Sequence, residues 1–220
     1  MRMTVSYAGA MIALALLASA PRAQQQGPER KPVPTFTDED APAASAMVST
    51  SANGSSDSWN RTIAAWPKLR SLRARMTMDS PNGHVEALIE AVKPDRVRMA
   101  AQNGIEFIAI GDTTYMKAAG AAWERIPGSS SEAFSSKSLM NGDAVLKGAQ
   151  GTLVGTEKID GIDTDVYEVS GAIDQAGTLQ IWVGRSDGLP RKLTASFGSA
   201  MSITVKFYDF NSYISIRAPL

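Results

Sequence analysis

The chain has 220 residues, with 22 basic and 22 acidic side chains, one His and no Cys, and 44% of its residues are hydrophobic. This length suits one medium domain or two small ones, and the apolar fraction is sufficient for a core. The zero formal charge argues against a nucleic-acid-binding protein, and the missing Cys excludes disulfides and thiol chemistry. With His84 as the single imidazole, multi-histidine metal centres are excluded, and we predict neither a metal site nor a cofactor.

The first residues differ in composition from the rest of the chain. Arg2 precedes an uncharged stretch, residues 7–20, that is rich in Ala, Leu, Ile and Met. A short apolar run behind a positive charge and ahead of small residues is typical of a secretory signal peptide, and it is too short for an ordinary transmembrane helix. We predict a signal peptide over residues 1–23, cleaved after Ala23, with an uncleaved membrane anchor as the alternative.

Residues 24–57 are rich in Gln, Pro, Ser, Ala and Gly and contain few large apolar side chains. Each proline in this segment removes a backbone donor and disrupts regular helix around it. The composition predicts a flexible leader. The folded domain is expected to occupy residues 58–220.

The folded part begins with a helical pattern and continues with alternation. Trp59, Ile63 and Trp66 are three or four residues apart, which predicts a short helix with these side chains on one face, ended or bent by Pro67. After that, apolar and polar residues alternate, which predicts strands with one apolar face. The clearest alternating segments are residues 73–78, 96–99, 105–107, 179–181, 203–207 and 214–216.

Four dipeptides punctuate these alternating segments. They are Asn82-Gly83, Asn103-Gly104, Asp160-Gly161 and Asp187-Gly188. Asn and Asp tolerate positive φ and Gly adopts it freely, so these pairs favour tight hairpin turns. Strands joined by such short connections are antiparallel neighbours, and we expect a meander of about ten strands.

A helical insertion is predicted between the two groups of strands. Ser129 and Glu132 have the spacing of a capping box, and Asp143 is placed to cap a second short helix that ends at Leu146. The predicted fold class is therefore α+β, with a single large antiparallel sheet whose apolar face is covered by short helices.

Four common catalytic or nucleotide-binding motifs are missing from the sequence. They are the serine–lysine pair, the zinc-protease motif, the P-loop and the dinucleotide-binding glycines. Asp160, Asp163 and Asp165 are close enough in sequence to contact a calcium ion, but acidic residues flanking a solvated turn are the favoured interpretation. His84 follows a turn and is expected to be structural or exposed. We predict that the protein is not an enzyme.

Aromatic residues on the predicted strands leave two interpretations open. They either fill a packed core or line a cavity suited to an acyl chain, and composition does not separate these alternatives. Stacking platforms for nucleic acid would need a basic groove, which the charge balance disfavours. The aromatic residues in question are Phe107, Tyr115, Trp123, Tyr167, Trp182, Phe197, Phe207 and Tyr208.

Several segments resemble, in order and spacing, those of the periplasmic lipoprotein-localisation superfamily. This group comprises the LolA-like and LolB-like carriers and the mycobacterial lipid-binding lipoproteins. The resemblance covers roughly residues 59–219, nearly the whole predicted domain. The segments that carry it are Gly111–Lys117 with Trp123, Gly155–Gly161 with Tyr167 and Val169, Ile181–Lys192, Lys206–Asn211 and Ile214–Pro219.

The resemblance implies an open half-barrel whose concave face is covered by short helices and holds a cavity for acyl chains. It implies a soluble periplasmic carrier of a lipid or lipoprotein acyl chain that performs no reaction, uses no cofactor and touches the membrane only transiently. The lipobox Cys of the anchored members is missing, which supports a soluble protein. The alternative is an envelope sensor or adaptor that uses the same fold to bind an envelope protein partner; nucleic acid is not an expected partner.

Strand parity and helix position suggest which residues line the cavity. The helical insertion Ser129–Leu146 is predicted to form its lid. A register error of one residue would turn the strand members outward. The predicted lining residues are Val97, Met99, Ile105, Phe107, Leu139, Met140, Val145 and Leu146.

Overall fold

A computed structural model describes residues 55–126, 149–170, 178–198 and 201–219 of the chain. The predicted signal peptide, nearly all of the leader and the predicted helical insertion Ser129–Leu146 lie outside these residues. In the part of the chain that is described, no helix is long and apolar enough to cross a membrane.

Eleven strands of the described residues form one antiparallel sheet, in the order β6-β5-β4-β3-β2-β1-β11-β10-β9-β8-β7. Two meanders, β1–β6 and β7–β11, meet where β1 pairs with β11, and the sheet does not close into a barrel. This confirms the predicted open half-barrel of α+β class. Its elements are α1 (Ser55–Ala65), a 3-10 helix (Trp66–Lys68), β1 (Ser71–Ser80), β2 (Gly83–Val92), β3 (Arg96–Ala101), β4 (Glu106–Ile110), β5 (Thr113–Lys117), β6 (Glu124–Ile126), β7 (Gln150–Ile159), β8 (Ile162–Ser170), β9 (Thr178–Gly184), β10 (Pro190–Phe197) and β11 (Met201–Tyr208).

The four predicted turn dipeptides all lie at hairpin connections. They join β1 to β2, β3 to β4, β7 to β8 and β9 to β10. At the β7–β8 turn, Asp160 and Gly161 have φ values of 49° and 82°, and two consecutive positive φ values are what a two-residue hairpin turn of type I′ requires. Local sequence chemistry therefore determines the hairpins.

The strand register divides the side chains between two faces of the sheet. Ala74, Ile89, Met99, Phe107 and Met116 are successive cross-strand partners and share one face. Because α1 packs against this face, we call it the inner face; the opposite face, which carries most of the charged side chains, is the outer face.

The helix α1 buries a different set of residues from the one predicted. Trp59 is buried, and Trp66 is buried in the 3-10 helix that follows, but Ile63 is 36% exposed, so its assignment to the buried face was wrong. Ser58 and Thr62 are fully buried instead. The helix turns this polar pair toward the sheet because Ser58 has a hydrogen-bond partner there, Asp165.

The C-terminal segment also differs from its prediction. Residues 214–216 were expected to form a strand, but they run extended across the outer face without joining the sheet. Ile214 and Ile216 are buried against Ile108 and its neighbours, and Arg96 Nη1 donates to the Ile216 carbonyl oxygen at 2.7 Å. Apolar and polar residues do alternate in this segment. The alternation reflects burial of every second side chain against the outer face and not pairing of the segment as a strand.

Candidate functional site

One half of the inner face is lined by methionines and small residues. This half is formed mainly by β1–β5 and the first half of β11, and its core is a cluster of buried apolar side chains. Val85, Ile89, Ala101, Ile105 and Met116 pack against that cluster. We call the buried set the methionine cluster; it consists of Met76, Met78, Ala87, Met99, Phe107 and Ile203.

The four predicted lining residues that the structure describes lie on this part of the inner face. Met99 and Phe107 are cross-strand partners within the methionine cluster, and Ile105 packs against it. Val97 is buried in an adjoining cluster that shares Ile89 with the first. The further claim that these four residues line a ligand cavity stays a prediction. Leu139, Met140, Val145 and Leu146 lie outside the described residues.

The chemistry of the methionine cluster suits an adaptable apolar surface. Met76 lies directly opposite Ala87, which lies opposite Ala101, so a long unbranched side chain adjoins two small ones. Methionine has three rotatable bonds and a polarizable sulfur, which lets it repack around irregular apolar shapes. The residues are suited to contact hydrocarbon and carry no group that reacts with it.

The other half of the inner face, formed by β7–β10, is packed by α1. The Trp59 ring lies 5.2 Å from the Tyr167 ring, centroid to centroid, at an interplanar angle of 45°. Gly151 lies directly beneath Trp59, since a Cβ atom added to it would be 2.6 Å from the indole ring. The buried residues of this helix-packed half are Trp59, Trp66, Ala149, Tyr167, Val169, Leu179, Ile181, Val183 and Ala195.

A buried polar network attaches α1 to β8. Ser58 Oγ donates to Asp165 Oδ2 at 2.7 Å and also hydrogen-bonds the Tyr167 hydroxyl. Arg185 Nε donates to Asp165 Oδ1 at 2.6 Å, so the carboxylate has a partner on each side. Burial raises the pKa of Tyr167, which therefore stays a neutral phenol at physiological pH. The sequence pattern missed this network because Ser58 is more than 100 residues from Asp165 and Tyr167.

An open groove of about 350 Å³ lies between the end of α1 and the β9–β10 hairpin. It combines two cationic side chains, Arg61 and Lys68, with the apolar Leu69 and Leu189. Asp187, also in the groove, is paired with Arg191. Nothing in the sequence pattern marked this groove, because its walls come from three separate parts of the chain.

The candidate catalytic and metal-binding residues are dispersed. His84 is half exposed and its Nδ1 lies 2.7 Å from Asp79 Oδ1, a hydrogen bond that raises the pKa of the imidazole. Asp163 pairs with Lys158 at 3.4 Å, while Asp165 belongs to the α1 network. Across the described residues, no group of three acidic or histidine side chains is arranged to hold a metal ion.

Comparison with solved structures identifies the fold. The lipoprotein LppX of Mycobacterium tuberculosis superimposes with a TM-score of 0.56 at 20% identity, over 76% of this chain and 100% of LppX. LprF of Mycobacterium bovis gives a TM-score of 0.54 at 14% identity, over 77% of this chain and 98% of LprF. No protein-family model and no curated protein sequence matches the chain.

Both superpositions cover almost the whole of the other protein, so they compare complete folds rather than a shared hairpin. At these identities the likeness establishes the fold and nothing about the ligand. The chain has the predicted half-barrel fold, which resembles that of LppX and LprF.

Proposed function

We propose that this protein carries an acyl chain of a lipid or lipoprotein on its inner face, within the periplasm, and performs no chemical reaction. The observation that carries the proposal is the methionine cluster. A described face made of Met, Ala, Phe and Ile on an unclosed sheet is apolar enough to contact hydrocarbon, and these side chains include no nucleophile, acid–base pair or metal ligand set. The fold likeness to LppX, a mycobacterial lipoprotein, supports an envelope protein.

Burial of the apolar surface of the acyl chain is sufficient to drive binding by such a carrier. Each methylene removed from water contributes about 0.8 kcal/mol, so ten buried methylenes recover about 8 kcal/mol, which offsets much of the cost of taking the chain from a bilayer. Binding of this kind depends on apolar area and shape and not on a single anchoring residue. Substitutions that fill space on the inner face should therefore weaken it more than substitutions that remove one contact.

A second candidate, an adaptor that binds a protein partner, is favoured by the edge strand β7. Among the described residues β7 pairs only with β8, and its other edge offers backbone donors and acceptors. Val154, near the middle of this strand, is 50% exposed. Addition of a partner's strand to β7 would use these groups. The bulge between Leu153 and Gly155 shortens the edge available for pairing.

Two neighbouring alanines on β3 give a matched test of the carrier proposal. Ala101 packs on the methionine cluster from the inner face, and Ala100 points to the outer face; both are half-buried. We would titrate the purified protein and both variants, Ala101→Phe and Ala100→Phe, with a fluorescent fatty acid. Thermal unfolding would verify that each variant is folded.

The carrier proposal predicts that Ala101→Phe weakens fatty-acid binding at least tenfold, about 1.4 kcal/mol, while Ala100→Phe leaves binding unchanged. If both variants retain saturable fatty-acid binding, the binding site is not at the methionine cluster. No binding to the unmodified protein, combined with capture of a strand-forming peptide at β7, would favour the adaptor.

A further inference from the structure

Two adjacent rows of charged side chains on the outer face are built differently. In the first, Arg73, Glu90 and Arg98 are successive cross-strand partners with alternating sign. Arg73 Nε lies 2.9 Å from Glu90 Oε1, and Arg98 Nη1 lies 3.9 Å from the other carboxylate oxygen of Glu90. Each charge in this row is balanced by its neighbour.

In the second row, Lys192, Lys206 and Arg75 are successive cross-strand partners with the same sign. We call these three residues the cation row. Like charges directly opposite one another on a sheet destabilise it. The Lys192 ammonium lies 4.1 Å from the centre of the Trp182 ring, while Lys206 and Arg75 are exposed. Within the described residues, none of the three forms an ion pair with a carboxylate.

The carboxylates near the cation row are already engaged elsewhere. Glu90 and Asp209 both pair with Arg73, and Glu157 accepts from the Trp182 indole. Glu157 keeps its negative charge near Lys192, while Arg75 and Lys206 have no ion-pair partner among the described residues. Because opposed like charges destabilise a sheet, an anionic group that covers the row would stabilise it.

The row continues into an apolar side chain. Leu88 is the cross-strand partner of Arg75 on β2 and is 39% exposed. A complementary ligand would carry a short run of negative charges and one apolar group beside it. This requirement is more specific than that of a general basic patch.

We propose that residues 36–40 of this same chain occupy the cation row. Asp38, Glu39 and Asp40 are three consecutive carboxylates, and Phe36 precedes them by two residues. Three negative charges would face three positive ones, with Phe36 placed to contact Leu88. An apolar residue beside three charges matches the pattern of the row.

The connecting chain is long enough for this contact. Fourteen residues separate Asp40 from Ser55, and the connection spans up to about 50 Å when extended. Ser58 of α1 contacts Asp165 at the same strand ends where β10 begins, two residues before Lys192. From β8 to β1 is four strand spacings, about 20 Å. The extended connection is longer than this distance along the sheet, which leaves about 30 Å for the chain to pass from the inner to the outer face.

The proposal is independent of what the inner face binds. It makes the outer face a self-occupied anion-binding surface from which an acidic or anionic partner must displace residues 36–40. Because the contact is between exposed charges, it weakens as salt shortens the Debye length from about 10 Å at 0.1 M to about 3 Å at 1 M.

The missing Cys in this chain allows clean placement of two spin labels. We would use Ala41→Cys, next to the acidic run, and Ser202→Cys, an exposed outer-face position on β11, in the chain as secreted. Pulsed electron resonance then measures the distance between the labels. Three charge variants are compared: one with Asp38, Glu39 and Asp40 changed to Lys, one with Arg75, Lys192 and Lys206 changed to Glu, and one combining both sets.

The proposal predicts a short-distance population at low salt that is lost at 1 M salt, lost in either reversed set and restored when both sets are reversed together. Distances unaffected by any reversal, or not restored in the combination, would overturn it. If molecules that carry one label each show short distances between labels, the occupant of the cation row is the segment of a second copy of the chain. If the protein floats with anionic vesicles only when the cation row is intact, and no short distance to residues 36–40 is found, the occupant of the row is a membrane surface.

Discussion

On the inner face, the half formed by β7–β10 is held by one helix through specific contacts, whereas the half formed mainly by β1–β5 is a buried cluster of Met with Ala, Phe and Ile. In the first half, Trp59 rests on Tyr167 and Gly151, and Ser58 is bonded to Asp165. In the second, Met76 lies opposite Ala87, which in turn lies opposite Ala101.

This difference indicates a division of labour within one sheet. Rings, a closely approached glycine and buried hydrogen bonds specify one arrangement and tolerate little change. Methionines beside alanines tolerate several arrangements at similar energy. The helix-packed half is suited to maintain the fold, and the methionine half is suited to adapt to a ligand. The predictions that follow test this contrast.

The largest loss is expected from Trp59→Ala. Removing this ring leaves a cavity between α1 and Tyr167, and large aromatic truncations in cores cost about 3–5 kcal/mol. The free energy of unfolding from urea titration measures the effect. Trp123→Ala, at a half-buried position of the outer face, is the control and should cost clearly less. Equal losses at the two sites would contradict the contrast.

An added methyl group should lower the stability of the protein at one glycine of the edge strand β7 but not at another. Gly151→Ala places a Cβ 2.6 Å from the Trp59 ring and should cost about 1–3 kcal/mol through overpacking. Gly155 has open space around its Cβ position, so Gly155→Ala should be neutral or stabilise by up to about 1 kcal/mol. Thermal unfolding of both variants gives the comparison. A neutral Gly151→Ala would show that α1 packs loosely.

The methionine half should accept a change of shape at small cost. Met76→Leu conserves volume and apolar character, and such exchanges usually change stability by less than about 1.5 kcal/mol. The same urea titration applies. A loss as large as that of Trp59→Ala would mean that this half is as tightly specified as the other.

The smallest effect concerns acid stability on the outer face. Lys117 and Arg98 hydrogen-bond the Glu106 carboxylate and lower its pKa below the usual value of 4.5. Its contribution to stability is therefore present above pH 4.5 and is lost as the pH falls through the lowered pKa. Glu106→Gln should lower the melting temperature slightly near pH 7 and flatten its decline between pH 4.5 and the lowered pKa, with no difference at still lower pH. An unaltered acid profile would contradict this role for the ion pairs.

The parts of the fold that are determined by residues close together along the chain could be predicted from the sequence. Alternation predicted strands such as 96–99 and 203–207, and Asp160-Gly161 predicted a hairpin. The β1–β11 pairing, which joins the two meanders, depends on residues such as Met76 and Val205 that are far apart in the chain. Periodicity alone could not reveal that pairing.

Two local interpretations failed for the same physical reason. Ile63 is exposed and Ser58 buried because the partner that decides the helix orientation, Asp165, comes from a distant strand. Ile214 and Ile216 alternate as a strand does, but they are buried by packing on the outer face. A pattern of burial predicts which side chains are covered, not which backbone groups pair.

Strand parity correctly put Val97, Met99, Ile105 and Phe107 on one face of the sheet. Their role in ligand binding depends on what covers that face, and alternation alone contains no information about it.

The most direct test of the central claim is native mass spectrometry of the protein purified from its own envelope, followed by denaturing lipid analysis. We predict a co-purifying adduct of lipid mass that is retained in Ala100→Phe and lost in Ala101→Phe. A clean protein mass, with no lipid released on denaturation and no fatty-acid uptake afterwards, would contradict the proposal that the methionine half binds an acyl chain.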